Sequence, residues 1–390
     1  MADRVVIKFG GADLATGEKI RKAARMVLDL GYREVVVVVS AMAGVTDSLT
    51  KTIQEVGSSD ARDYAEIVSM GERTSARIFC SALRSMGAQT EYFDPSQERW
   101  PIITDPDYRD AKIDIKKTRQ LVKKFVKPLL GANIIVFCGF LGRDEDGNVT
   151  TLGRGGSDTT ALVLGNCLEA DEVVLVKETE GVMSADPRVV QDAKSLKNLT
   201  IHEMFALSHG GAKIIKAESL KYKLPDQTLR VVNFSSSNLS CGTEISGVFH
   251  SNSCEIDEKR GLSAISIICD IEPDNISRII TSFGKRPIFG ISTGKNSLTV
   301  FTSSEDLKAL VNQLHGLGTC KALSLRANVG LVELTHPSFV DSPGSVAKVS
   351  GALAAKNINI IEVTSSKATI SIFVDEKVID DALKVVRNIT

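Results

Sequence analysis

Val5-Val6-Ile7-Lys8-Phe9-Gly10-Gly11 is a short apolar run that carries a lysine near its end and breaks into two glycines. A helical pattern follows. Ile20, Ala23, Ala24, Val27 and Leu28 recur at i, i+3, i+4, i+7 and i+8, the spacing of one buried helix face, with Gly31 as its stop. Residues 35–39 are an unbroken run of valine, which predicts a strand buried on both faces. That run ends in Ser40-Ala41-Met42-Ala43-Gly44-Val45-Thr46. The alternation continues with a helix over 60–83, a strand over 90–93 and a loop around Trp100. A further helix is striped by Leu121, Val122, Phe125 and Leu129, and a strand over 133–137 leads into a hairpin at 143–148. Thr151-Leu152-Gly153-Arg154-Gly155-Gly156-Ser157-Asp158 then opens a helix that buries Ala161, Leu164 and Leu168, and residues 172–176 are the next strand. This order predicts an α/β fold: a mostly parallel open sheet with helices on both faces. In such sheets ligands sit beyond the carboxyl ends of the strands.

The chain has 390 residues, 43% hydrophobic and 24% charged, so more than one core is expected. Lys+Arg is 47 and Asp+Glu is 48, for a net charge of −1. No basic surplus argues for nucleic acid or for an anionic membrane surface. No run of apolar residues is long enough to span a bilayer, and no apolar leader precedes the first strand. The cysteine count of 7 is odd, with no C-x-x-C, which disfavours a disulfide framework or a zinc ribbon. These features together predict a cytoplasmic protein, and no metal-ligating cluster is read from the histidines.

Composition turns polar near residue 235 and charged over 255–260, placing a boundary between about 248 and 262. Beyond it the pattern repeats. Ile276, Ile279, Phe283, Ile288 and Ile291 match Val346, Val349, Leu353, Ile358 and Ile361 at an offset of 70. Leu298, Val300 and Leu314 match Ile370, Ile372 and Val386 at 72. Each copy is preceded by an alternating strand, giving two small α+β modules in β-α-β-β-α order. The expected domains are 1–248, 262–326 and 328–390, with strand exchange between the last two left open.

Two glycine clusters draw attention as anion sites. Glycines before a helix leave backbone N–H groups free to meet an anion at the positive end of the helix dipole. Neither Lys8-Phe9-Gly10-Gly11 nor the cluster at 153–158 fits the Walker or the dinucleotide spacing. Either cluster alone is also ordinary turn chemistry; on one sheet together they favour a shared anion site.

The motifs Lys8-Phe9-Gly10-Gly11, Ser69-Met70-Gly71-Glu72-Arg73, Thr151 to Asp158, Ala185-Asp186-Pro187-Arg188 and Gly211-Ala212-Lys213 occur here in that order. In this the chain resembles an aspartate kinase of the amino acid kinase superfamily over nearly its whole length. The doubled C-terminal module resembles that family's paired ACT domains. The resemblance implies ATP-dependent phosphorylation of the side-chain carboxylate of L-aspartate, with ATP and Mg²⁺ as cofactors, as the first step toward lysine, threonine and methionine. It implies Lys8 and Asp158 as catalytic residues, and Thr46, Glu72, Arg154 and Ser157 around the amino acid. Arg154 offers a bidentate fork for the α-carboxylate, and Glu72 a counter-charge for the ammonium. The nucleotide side would comprise Lys8, Phe9, Gly10, Gly11, Lys177, Glu178, Met183, Arg188 and Lys213. Here the sequence departs from the family: Lys177-Glu178 stands where Thr-Asp is common, Met183 where an aromatic is common, and Ile214-Ile215-Lys216 replaces the usual continuation into His.

An aspartate side chain is already ionised at neutral pH, so this reaction asks for positioning and positive charge rather than a general base. In the second module, the longer loop ending in Asp341, Ser342, Pro343, Gly344 and Ser345 is the expected effector site, for lysine or threonine, and exposed sheet edges favour a homodimer through these modules. The alternatives are an amino acid kinase relative acting on another carboxylate, carbamate or a nucleotide, or an amino-acid sensor without turnover.

Overall fold

The computed structural model describes residues 3–58, 60–212, 214–236, 239, 241–249, 254–336, 339, 343–366 and 368–389. The chain divides into two compact units, residues 1–249 and 250–390.

The first unit comprises β1 (Arg4–Phe9), α1 (Gly17–Leu28), β2 (Glu34–Val39), α2 (Val45–Val56), α3 (Ala61–Ser85), β3 (Thr90–Phe93), α4 (Ile115–Leu121), β4 (Ile134–Cys138), β5 (Leu141–Arg143), β6 (Val149–Thr151), α5 (Gly156–Leu168), β7 (Glu172–Lys177), β8 (Asn198–Thr200), α6 (Ile201–His209), β9 (Thr228–Asn233) and β10 (Thr243–Ser246). Eight strands form one sheet in the order β3-β4-β2-β1-β7-β9-β10-β8. Within it only β9 and β10 pair antiparallel. The valines of β2 are buried throughout, as are their neighbours in β1 and β7. Alternation along β1 fixes the two faces of the sheet. The Phe9 ring lies 5.6 Å from Phe79 of α3, whereas Lys8, one residue earlier, reaches Asp158 of α5 on the other side.

Three local expectations change. Helix α1 buries Ile20, Ala23, Ala24 and Val27, but it ends at Leu28 with Asp29 as its cap, before Gly31. The stripe Leu121-Val122-Phe125-Leu129 is not one helix: α4 ends at Leu121, a π-type turn spans Val122–Val126 and a 3₁₀ turn spans Lys127–Leu129. Pro128 is the reason, since it lacks the amide donor and its ring crowds the preceding turn. Residues 40–46, which the sequence reading left without a helix, run into α2, capped by Gly44 at φ 78°.

The second unit contains β11 (Glu255–Ile268), α7 (Pro273–Ser282), β12 (Ile288–Thr293), β13 (Ser297–Ser303), α8 (Leu307–Gly316), β14 (Ala322–Thr335), α9 (Ser345–Ala355), β15 (Ile360–Ser366), β16 (Thr369–Asp375) and α10 (Ile379–Arg387). All six strands pair antiparallel in the order β12-β13-β11-β14-β16-β15. The 14-residue strands β11 and β14 pair from Glu255↔Thr335 to Ile268↔Ala322, with register shifts between Lys259 and Ala264. The later half of β11 joins β13, and the later half of β14 joins β16. Each repeat therefore takes half a strand from the other. The charged stretch 255–260, placed within the domain boundary, is the first half of β11; its outward side chains gave it no apolar alternation. Two cores lie on the helix-bearing side of each repeat, one around Ile265, Ile279 and Val300, the other around Val332, Val349 and Ile372. A third, of Leu262, Ala264, Phe301, Val329, Leu331 and Phe373, joins the repeats, with the Phe301 and Phe373 rings stacked at 3.7 Å.

Candidate active site

β1, β2, β4 and β7 end at one side of the sheet, and the strand register brings Lys8 beside Leu175, two residues before Lys177. A cleft of about 730 Å³ opens there, lined among others by Lys8, Thr46, Glu72, Arg154, Ser157, Asp158 and Lys177. The location follows the rule for open α/β sheets.

The floor is a three-residue ion cluster. Lys8 Nζ is 2.8 Å from Asp158 Oδ1. Lys177 Nζ donates to both oxygens of the same carboxylate, at 3.1 Å and 2.9 Å. Lys8 and Asp158 are buried, and the Lys177 side chain is 20% exposed. Burial pushes the Asp158 pKa up, but Lys177 and Lys8 outweigh it and hold the carboxyl below its ordinary value. Burial pulls the Lys177 ammonium down to about 8, with Asp158 opposing and Lys8 adding to the fall. Asp158 sits in the first turn of α5, where a carboxylate also faces the positive end of the helix.

Two close backbone approaches shape this floor. A Cβ on Gly11 would lie 2.7 Å from the carbonyl of Ala41, so only glycine lets the turns after β1 and β2 meet. Gly155, at φ 78°, is the N-cap of α5, and a Cβ there would press on Lys216 at 2.9 Å.

Glu72 is carried on α3 and is 3% exposed. Its Oε1 accepts the Ala41 amide at 3.1 Å, and its Oε2 is buried without a partner. Burial raises its pKa to about 7, the Ala41 hydrogen bond opposing. Ser40 donates to the Ser157 hydroxyl at 3.0 Å. Arg154 is exposed and, among the described residues, makes no hydrogen bond or ion pair. A buried carboxylate with a vacant oxygen and an unengaged guanidinium thus line the same cleft, which suits a ligand bearing both an ammonium and a carboxylate.

The other expected residues are placed less uniformly. The Phe9 side chain points into the core on the opposite face, between Phe79 and Phe234, because adjacent strand residues face opposite ways. The Gly10 amide donates to Asp13 at 2.9 Å. Glu178 is exposed, 3.9 Å from Lys19. Met183 bridges to Ser195. Arg188 is exposed and folds back on Asp186 at 2.7 Å. None of these five lines the cleft. Lys213 lies outside the described residues, as do Asp341 and Ser342. Gly344 caps α9 at φ 84°, and Ser345 begins that helix after Pro343.

Several lining residues were given no site role from the sequence, although Gly211, Ala212 and Ile214 to Lys216 were quoted with the family motifs. Ser208, His209, Gly211, Ala212 and residues 214–218 form one wall. Lys216 crosses from it to the substrate loop, donating to Asp110 and to the Leu152 carbonyl, each at 3.0 Å. Asp13 is the other omission. It is 1% exposed, its Oδ1 has no partner, and burial raises its pKa against the Gly10 hydrogen bond and the Lys8 charge. A carboxylate two residues after the glycine pair was the available signal.

Comparison with known proteins identifies the family. Residues 3–233 match the amino acid kinase family, and residues 326–388 match an ACT domain. The aspartokinase of Mycobacterium tuberculosis (strain CDC 1551 / Oshkosh) is 30% identical over 408 residues, covering 97% of this chain and 94% of that one. The aspartate kinase Ask_LysC of Stutzerimonas stutzeri is 28% identical over 407 residues, covering 97% and 95%. Among solved structures, the fold is similar to the Synechocystis aspartate kinase, with a TM-score of 0.75, 22% identity and coverage of 98% of this chain and 69% of that one. It is also similar to E. coli aspartokinase III in complex with aspartate and ADP, with a TM-score of 0.59, 21% identity and 99% of each chain covered. The chain belongs to the amino acid kinase family, and within it to the aspartokinases.

Proposed function

We propose that this protein transfers the γ-phosphoryl group of ATP to the side-chain carboxylate of L-aspartate, giving 4-phospho-L-aspartate and ADP. The observation that carries the reading is the presence, in one cleft, of a buried carboxylate with an unpartnered oxygen, an exposed guanidinium and a buried cationic floor. Glu72 receives the α-ammonium on its unpartnered Oε2, which offsets the cost of burying that carboxylate. Arg154 takes the α-carboxylate in a bidentate grip. Thr46 and the Ser40–Ser157 hydroxyl pair complete the lining.

The substrate carboxylate is already ionised. Its oxygen attacks the γ-phosphorus, and the bond to the β–γ bridging oxygen breaks. The chain's task is to hold two anions in line and to spread positive charge over the transferring oxygens. Lys8 supplies that charge from the end of β1, and Asp158 holds Lys8 in place. Gly11, Arg188 and Lys213 are assigned to the nucleotide side from the family motifs, Arg188 by moving off Asp186. Among the described residues no group of three His, Cys, Asp or Glu side chains converges as a metal cage, and both oxygens of Asp158 are engaged. Mg²⁺ is proposed to arrive on the triphosphate, where it would neutralise further phosphate charge.

The reaction is placed as the first step toward lysine, threonine and methionine, in the cytoplasm. Lysine or threonine is the proposed effector, bound where the loop before α9 meets Gly344 and Ser345. The ACT-domain match and the structure of E. coli aspartokinase III in complex with lysine and aspartate support an amino-acid effector. A homodimer through the second unit is proposed with it. Among the described residues no helix is long and apolar enough to cross a membrane.

Purified protein with ATP, Mg²⁺ and a panel of acidic amino acids tests the reading, with ADP release coupled to a reporter and the acyl phosphate trapped by hydroxylamine. Hydroxamate is expected from aspartate and not from glutamate. ADP release without hydroxamate, or equal turnover of glutamate, overturns it. Lysine and threonine titrations of the same assay test the effector, and inhibition by neither rejects that part.

A further inference from the structure

The floor of the cleft holds more cation than its own carboxylate needs. Asp158 pairs with Lys8 at 2.8 Å and would be satisfied as an ion pair by that contact. Lys177, from the end of the adjacent strand, takes both oxygens of the same group. Two ammonium groups thus share one buried carboxylate. The remaining charged neighbours do not cancel the surplus. Asp13, in the turn after β1, takes the Gly10 amide on Oδ2 at 2.9 Å and, among the described residues, forms no ion pair with either lysine, and Glu178 faces Lys19 at the surface. A desolvated excess of positive charge is costly unless an anion completes it. This excess lines the cleft beside the first turn of α5, whose positive end adds to it.

We infer that Lys177 is a second phosphate-binding cation. It leaves Asp158 when nucleotide enters and binds oxygens of the terminal phosphates, while Asp158 retains Lys8. No proton moves: Lys177 arrives as an ammonium and exchanges one anionic partner for another. The inference rests on the proposed ATP-binding role of this cleft and deepens it. It explains why a long basic residue stands where the family commonly has threonine, at a position whose neighbours are otherwise apolar strand. It also gives nucleotide binding an alkaline limit. The groups facing Lys177 are Asp158 from α5, Lys8 from β1 and Asp13 from the turn after it. The strong pull on its proton, from burial and from Lys8, means that the binding form fades as pH rises past about 8.

Calorimetric titration of the full chain with ATP·Mg²⁺ and with AMP, without aspartate, tests this independently of which amino acid is phosphorylated. The proteins are wild type, Lys177→Met and Lys177→Arg, at pH 7 and pH 9.5. Lys177→Met is expected to weaken ATP tenfold or more at pH 7 while leaving AMP within twofold. Wild type should lose ATP affinity severalfold at pH 9.5, and Lys177→Arg, which keeps its charge, should not. Circular dichroism confirms that each variant is folded, and Lys177→Thr replaces Lys177→Met if the latter is not. ATP affinity unchanged in the neutral variant overturns the inference, as does an equal loss of ATP and AMP, or an alkaline fall identical in wild type and Lys177→Arg. Absence of ATP binding in wild type at pH 7 overturns the ATP reading itself, and the inference falls with it.

Discussion

Replacing Glu72 by glutamine separates the price of this site from its use. The Glu72 carboxyl goes from an ordinary 4.5 to about 7 because burial disfavours its charged form. At about 1.4 kcal/mol per tenfold change in an equilibrium constant, that gap is roughly 3 kcal/mol. Its direction follows from proton counting. Between 4.5 and 7 the folded chain holds a proton that the unfolded chain has released. Stability from this group is therefore complete below pH 4.5 and is lost as pH rises through 7. Glu72→Gln removes the titration and keeps an oxygen for the Ala41 amide. Its amide N–H₂ also changes stability, but equally at every pH. The measurable quantity is thus the difference between wild type and variant, followed from pH 5 to pH 8.5 by urea unfolding without ligand. The variant should gain roughly 2–3 kcal/mol on wild type across that range, while its KM for aspartate rises a hundredfold or more through loss of the ammonium's counter-charge. In wild type, aspartate should bind more tightly as pH rises through 7. Parallel stability curves across the range would refute the assignment of a strained, empty carboxylate at this position.

Other expectations follow from the same contacts. Arg154→Ala should raise the aspartate KM at least tenfold yet shift unfolding by less than about 0.5 kcal/mol, because Arg154 is exposed and makes no partner contact in the described structure; a large stability loss would contradict that placement. Asp158→Asn leaves the buried Lys8 and the half-buried Lys177 without counter-charge and should cost about 3–5 kcal/mol by chemical denaturation, with kcat reduced more than KM for aspartate. In the second unit, a Cβ on Gly290 would come within 2.7 Å of the Phe373 ring that stacks on Phe301. Gly290→Ala should destabilise that unit by about 1–3 kcal/mol, read as an earlier unfolding transition, and an unchanged transition would show that the stack can yield.

The parts of the site that were legible in sequence share one property: a charged residue embedded in a segment whose periodicity is otherwise apolar. Lys8 ends an apolar strand, Glu72 lies on a buried helix face, and Asp158 opens a helix that is buried nearly throughout. Such residues need a partner, and sequence shows the need even where it hides the partner. Phe9 was assigned to the nucleotide as part of the Lys8-Phe9-Gly10-Gly11 motif, although period-two alternation already places it on the other face. Lys216 was passed over because its partner Asp110 is 106 positions away, a pairing that no local pattern carries. Lys177 was legible as a departure, yet its contact with Asp158 depends on the β1–β7 register, which only folding sets. The shared strands of the second unit were hidden for the opposite reason. Residues 255–260 are charged and outward-facing, so the half-strand that joins the repeats resembles a linker.

The same contacts decide between two roles for Asp158. As a general base it would need an oxygen free to accept a proton and an affinity for protons near neutral pH. The second condition fails throughout. Without nucleotide both lysines hold the carboxyl below its ordinary value, and once Lys177 has moved to the phosphates the retained Lys8 pair still disfavours a proton on Asp158. Nor is there a proton to remove, since the attacking carboxylate is ionised before it binds. Asp158 therefore works by fixing where positive charge sits before the reaction begins, which is when such charge lowers a barrier without reorganisation cost. A kcat that stays level from pH 6 down to pH 5, with the loss on the acid side falling on KM for aspartate through Glu72, is what this division of labour requires. An acid limb in kcat that disappears in Asp158→Asn would instead restore the general-base role.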